Sequence, residues 1–79
     1  MNILTSADLC KEVNSRIAFH ERENNCIISI FEDDEFTYMS VIAKDFSYAH
    51  GNIKLCKKDA SKYALCHAIR EYFMEGWLA

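Results

Sequence analysis

The chain has no proline and only two glycines, Gly51 and Gly76. It therefore has no glycine-rich loop able to cradle a nucleotide phosphate. No two of its four cysteines, Cys10, Cys26, Cys56 and Cys66, are separated by two to four residues, so the spacing of a zinc site is missing. Cys66 and His67 are adjacent, but neighbouring helical side chains point about 100° apart and do not chelate one ion together. No apolar run approaches the roughly 20 residues needed to span a bilayer. The opening MNILTSADLC lacks a basic region followed by an apolar one, so no secretory signal is read there. The expectation is a cytoplasmic chain with reduced thiols and no membrane partner.

Catalytic constellations are missing as well. His20 falls near an apolar helical stripe, His50 stands beside Gly51 in an expected loop, and Cys66 belongs to a core stripe. No nucleophile, base and orienting group can be assembled from these positions. No catalytic residue, metal ligand or cofactor is assigned, and the expectation is a protein that is not an enzyme. A chain of 79 residues also has little room for a closed pocket.

What is present is a globular composition. Hydrophobic residues make up 51% of the chain, with no linker-like stretch, internal repeat or low-complexity segment, so residues 1–79 are read as one domain. Twelve acids against nine lysines and arginines give a net charge of −3. That balance opposes broad electrostatic capture of nucleic acid or an anionic membrane.

Leu9, Val13 and Ile17 recur at four-residue steps, with Cys10 and His20 extending the stripe, which predicts an amphipathic helix. Thr5 followed by Asp8 approximates a capping box and places the helix start at Thr5 or Ser6. Glu12, Arg16 and Glu21 fall on its wet side, and the helix should end around Glu23, before Asn24–Asn25. The stretch CIISIFEDDEFTYMSVIA, residues 26–43, reads as a hairpin of β-branched and aromatic residues around an acidic turn. A two-residue loop at Asp33–Asp34 would set Phe31 opposite Phe36 and Ile28 opposite Met39. One face then carries Cys26, Ile28, Ile30, Thr37, Met39 and Val41 and is read as core. The other carries Ile27, Ser29, Phe31, Phe36, Tyr38 and Ser40.

A third strand comes from 46–49, from 53–56, or from both, around a turn signal at His50-Gly51-Asn52. A last helix follows, with Asp59 as N-cap, Leu65, Cys66, Ile69, Tyr72 and Phe73 as apolar stripe, and Gly76 as stop. His67, Arg70, Glu71 and Glu75 fall opposite that stripe. The implied fold is α+β, in the order helix, three-stranded antiparallel sheet, helix, with both helices on one face.

This order, with the run KKDASKYAL at 57–65, resembles the double-stranded RNA-binding domain, whose second helix opens with a lysine pair and a third lysine that grip phosphates. The resemblance implies that Lys57, Lys58 and Lys62 form an RNA-binding set. Matching Lys57–Lys58 to the family's pair aligns Ala60 and Ala64 but puts Ser61 where the third lysine belongs. Sliding by one residue supplies Lys62 and repairs the packing face but turns the pair into Lys58–Asp59. The family's loop between the first two strands is replaced here by Glu32-Asp33-Asp34-Glu35, which would repel phosphate.

Two further sets are candidate partner-binding residues. Glu32, Asp33, Asp34 and Glu35 form an acidic prong suited to arginines and lysines on a partner. Phe31, Phe36 and Tyr38, with Phe46 and Tyr48 as further members, form an aromatic face suited to burial against it. The acidic run lacks the ligand spacing and glycine of a calcium loop. Trp77 is either a docked terminal anchor or an exposed hot spot. The functional expectation is a small binding protein of the phage or mobile-element inhibitor kind, anti-CRISPR or anti-restriction in type, occupying a partner's basic surface. On that reading, reversing the charge of Asp33 and Asp34 weakens binding without unfolding the domain. An RNA-binding module, or a homodimer joined through the sheet edge or aromatic face, is the alternative.

Overall fold

Alternation of apolar and polar residues with period two sets the sheet, and two helical stripes cover one side of it. The computed structural model describes residues 2–76, with side chains as far as Met74, so the expectations for Trp77 and for the Glu75 side chain lie outside the described residues. The elements are β1 (Asn2–Leu4), α1 (Lys11–Asn24), β2 (Cys26–Glu32), β3 (Phe36–Ala43), β4 (Ala49–Lys57), α2 (Lys62–Glu71) and a closing π turn (Tyr72–Gly76). The strands form one antiparallel sheet in the order β1-β2-β3-β4. The fold is α+β, as expected, with four strands where three were expected.

The additional strand pairs Asn2 with Glu32, Ile3 with Phe31 and Leu4 with Ile30. Three residues are too few to show an alternation, which is why NIL gave no strand signal. The start of α1 differs for a related reason. Asp8 does bond Thr5, its carboxylate accepting from the Thr5 N–H at 2.8 Å and the Thr5 hydroxyl at 3.0 Å, but this closes a separate turn. The helix begins after Cys10, which caps it by backbone conformation alone. The Asn14 side chain ties the turn to the helix by donating to the carbonyls of Ser6 (2.9 Å) and Leu9 (3.2 Å). At the other end Asn25 takes the left-handed conformation of a helix stop, φ 49°. Glu21 leaves the wet side on which it was expected. Its carboxylate is half-buried and accepts from the Ile28 N–H at 2.9 Å, beyond the point where β1 stops covering β2.

The β2–β3 hairpin turns one residue later than expected, at Asp34–Glu35, with the Asp33 N–H donating to the Phe36 carbonyl at 3.1 Å. Each pairing moves by two: Phe31 lies opposite Tyr38 and Ile30 opposite Met39. A shift of two preserves the face of every side chain, so the expected core set survives. Of the third-strand alternatives, 53–56 lies within β4, which starts only at Ala49, so 46–48 belong to the loop, and the expected turn at His50-Gly51-Asn52 is a bulge. Thr37 pairs with Cys56 but Tyr38 with Lys54, and Met39 pairs with Ile53 but Val41 with His50. Asn52 absorbs the second irregularity at φ 55°. In α2 the cap is Ser61, whose hydroxyl accepts from the Ala64 N–H at 3.2 Å, two residues beyond the expected Asp59.

The core is Val13 from α1, Cys26, Ile28, Ile30, Met39 and Val41 from the sheet, and Ile69 and Phe73 from α2 and the π turn. Leu9, Ile17, Leu65 and Tyr72 pack around it. Each fully buried aliphatic side chain stabilises the fold by about 1.5–3 kcal/mol. Because both helices contribute to this cluster, no helix among the described residues covers the opposite sheet face.

Candidate interaction face

The uncovered face gathers the alternate residues of all four strands. Ile3, 75% exposed, stands beside half-buried Phe31 and Tyr38, with Phe36 towards the hairpin tip, and the Ser29–Ser40 row separates them from Ile27 and Ile42, 52% and 41% exposed. Near the tip the large apolar side chains Ile3, Phe31, Phe36 and Tyr38 are neighbours. The expected aromatic set is therefore brought together. Phe31 and Tyr38 stand across β2 and β3 with ring centroids 5.7 Å apart and planes inclined by 14°. Phe36 meets Tyr38 edge to face at 6.4 Å. Lys54, opposite Tyr38 on β4, holds its Nζ 4.2 Å from the Phe36 ring centroid. Tyr48 does not join this face but packs against the core. Phe46 stands apart in the β3–β4 loop, 85% exposed and at φ 61°.

The four acids at the hairpin tip divide into three kinds. Asp33 is committed to the fold: its Oδ1 accepts from the N–H groups of Glu35 and Phe36, both at 2.8 Å, and its Oδ2 from the Tyr38 hydroxyl at 2.8 Å. Those bonds, the Phe36 N–H foremost, hold its carboxyl below the usual range, while Asp33 pushes the Tyr38 phenol up. Glu32 pairs with the buried Thr37 and so belongs to the helix-covered side. Asp34 and Glu35 are exposed at the turn and carry its outward charge.

The three lysines of the RNA-like set do not lie on one helix. Lys57 ends β4 opposite Phe36, and the Lys58 N–H donates to the Glu35 carbonyl at 2.9 Å, so this pair sits alongside the acidic tip. Lys62 opens α2, lies 3.3 Å from the Glu12 carboxylate and 5.3 Å from the centroid of the Tyr63 ring.

Two histidines pack within the fold. His20 is buried and stacks on Phe73 at 4.6 Å and 8°; burial first, then the Arg16 and Arg70 charges, lower its pKa. His50 Nδ1 hydrogen-bonds the Tyr72 hydroxyl, linking β4 to the π turn. Burial pushes the Cys26, Cys56 and Cys66 thiols up, away from the thiolate a nucleophile needs. Among the described residues no group of three or more His, Cys, Asp or Glu is placed to hold a metal ion, and no helix is long and apolar enough to cross a membrane.

Composition and spacing located the acids and the aromatics but missed Ile3 and Lys54, whose places depend on the unseen β1 and on the bulges in β4. No protein-family model, curated protein or solved structure matches this chain.

Proposed function

We propose that the chain is a non-enzymatic binding protein that docks on a basic protein surface through its uncovered sheet face and the adjoining hairpin tip. The observation that carries this reading is the junction of Phe31, Phe36 and Tyr38 with Asp34 and Glu35 at one end of that face. Half-buried aromatics supply area to bury, and two uncommitted carboxylates supply complementary charge. Complementary charge raises association rate and selectivity, while buried aromatics slow dissociation.

A small acidic chain that covers a basic surface competes with whatever that surface normally holds. The biological setting that suits it is inhibition of a nucleic-acid-handling complex, in the manner of a phage or mobile-element inhibitor of anti-CRISPR or anti-restriction type. The net charge of −3 supports a cationic partner over an anionic one.

Affinity capture from a bacterial lysate, with and without nuclease and read by mass spectrometry, tests the reading. A defined protein partner should survive nuclease treatment and be lost when Asp34 and Glu35 are replaced by lysine. Recovery of RNA alone, abolished by Lys57→Ala and Lys58→Ala, would replace it with the RNA-binding reading.

A further inference from the structure

We propose that the uncovered face recognises arginine: a guanidinium of the partner protein lies over the Phe31–Tyr38 ring pair, with Asp34 and Glu35 at its N–H edge. This rests on the protein-binding reading above and names the group the face is built to receive.

The face already seats a cation. Lys54 places its ammonium 4.2 Å from the centroid of Phe36, so one of the three rings is engaged by the chain's own charge. The electronegative faces of these rings attract cations, and the attraction strengthens as water is excluded. Phe31 and Tyr38 have no comparable cation among the described residues, and their planes are inclined by only 14°. A planar guanidinium can stack on such rings and still direct its N–H groups sideways, whereas an ammonium acts as a compact, strongly hydrated point charge.

The hydrogen bonds around Asp33 shape the site. The Tyr38 hydroxyl donates to Asp33 Oδ2, which fixes the phenol and leaves its ring beside a carboxylate. Asp33 already accepts three bonds within the hairpin, so Asp34 and Glu35 are the carboxylates least engaged by the turn. Exposed Ile3, opposite Phe31 on β1, borders the pair and offers apolar surface to an arginine stem.

Titration of the 15N-labelled full chain with nona-arginine and nona-lysine peptides at matched ionic strength tests this. The expected result is amide shifts at Phe31, Tyr38, Asp34 and Glu35 with nona-arginine binding about fivefold tighter than nona-lysine. Phe31→Leu, which keeps an apolar side chain but removes the ring, should abolish that preference. The combined Asp34→Asn and Glu35→Gln changes should weaken both peptides alike. Equal affinity for the two peptides, with shifts confined to the tip, would overturn the arginine proposal while leaving the acidic docking face intact. Absence of binding to either peptide at low salt would overturn both.

Discussion

Asp33 shows how one carboxylate in a run of four can differ from its neighbours. It receives three hydrogen bonds within its own hairpin, whereas Asp34 beside it is exposed. Asp33→Ala should therefore lower the thermal unfolding midpoint and loosen the tip, and Asp34→Ala should leave the midpoint unchanged. Equal effects in a thermal melt would contradict the assignment. From the sequence Asp33 and Asp34 were read alike, as the turn pair whose charge reversal would not unfold the domain; for Asp33, which accepts three hairpin bonds, that expectation is corrected. An aspartate opening a turn is a known signal for a side-chain bond to the backbone two residues on, but the signal is usable only once the turn is placed, and the turn lies one residue later than expected.

His20 gives a pH dependence with a definite sign. Its pKa in the folded chain lies below the ordinary 6.5, because burial and two arginines oppose its charge. The unfolded chain takes up a proton near pH 6.5 and the folded chain only at lower pH. Stability is thus complete above 6.5 and declines as pH falls below it. Asp8, Asp33 and Asp45, lowered from 3.8 by hydrogen bonds to Thr5, to the hairpin tip and to Ser47, add a second decline as pH drops through and below 3.8. Denaturant midpoints measured between pH 8 and pH 3 should fall in these two stages. His20→Phe, which retains an aromatic ring against Phe73, should remove the first.

Among the elements, the β3–β4 loop contains a conformational cost. Phe46 adopts φ 61° with 85% of its surface exposed, so the strain of a left-handed bulky residue is not offset by packing. Phe46→Gly should raise stability by about 1 kcal/mol, the relief of strain exceeding the added chain entropy. A loss of stability in urea denaturation would mean that the ring makes a contact worth more than the strain. The adjoining β4 is an edge strand interrupted by two irregularities, which twist it and blunt strand-to-strand association.

Legibility followed the length of each pattern. The stripe of α1 and the alternation of the hairpin run over many residues, and both gave the correct buried face. Even the register error preserved that face, because it was a shift of two. β1, at three residues, was silent. The bulges of β4 depend on how β3 pairs with it, which no local spacing encodes. The same holds for the candidate site: its aromatics and acids were readable, whereas Lys54 over Phe36 was not.

At the scale of the whole molecule, one sheet face lies under both helices, and the other is the face we propose for contact. Met39 is fully buried at the centre of the first, and Met39→Ala should cost about 2–5 kcal/mol. For a domain of this size that is a large share of the total, so the denaturant midpoint should collapse. Substitutions at its exposed positions that take no part in the Asp33–Tyr38 bond should leave the fold standing and change what it binds. That separation is the central claim, and Asp34 and Glu35 are the residues at which it is cleanest, since neither is drawn into the hydrogen bonds of Asp33.

The measurement that tests it most directly is the affinity of the Asp34→Lys, Glu35→Lys double variant for the captured protein partner, with thermal unfolding recorded in parallel. The account predicts an unfolding midpoint close to the parent's and an affinity reduced at least tenfold, with the remaining binding insensitive to salt. Unchanged affinity in a folded double variant would contradict it and remove the hairpin tip from the interface.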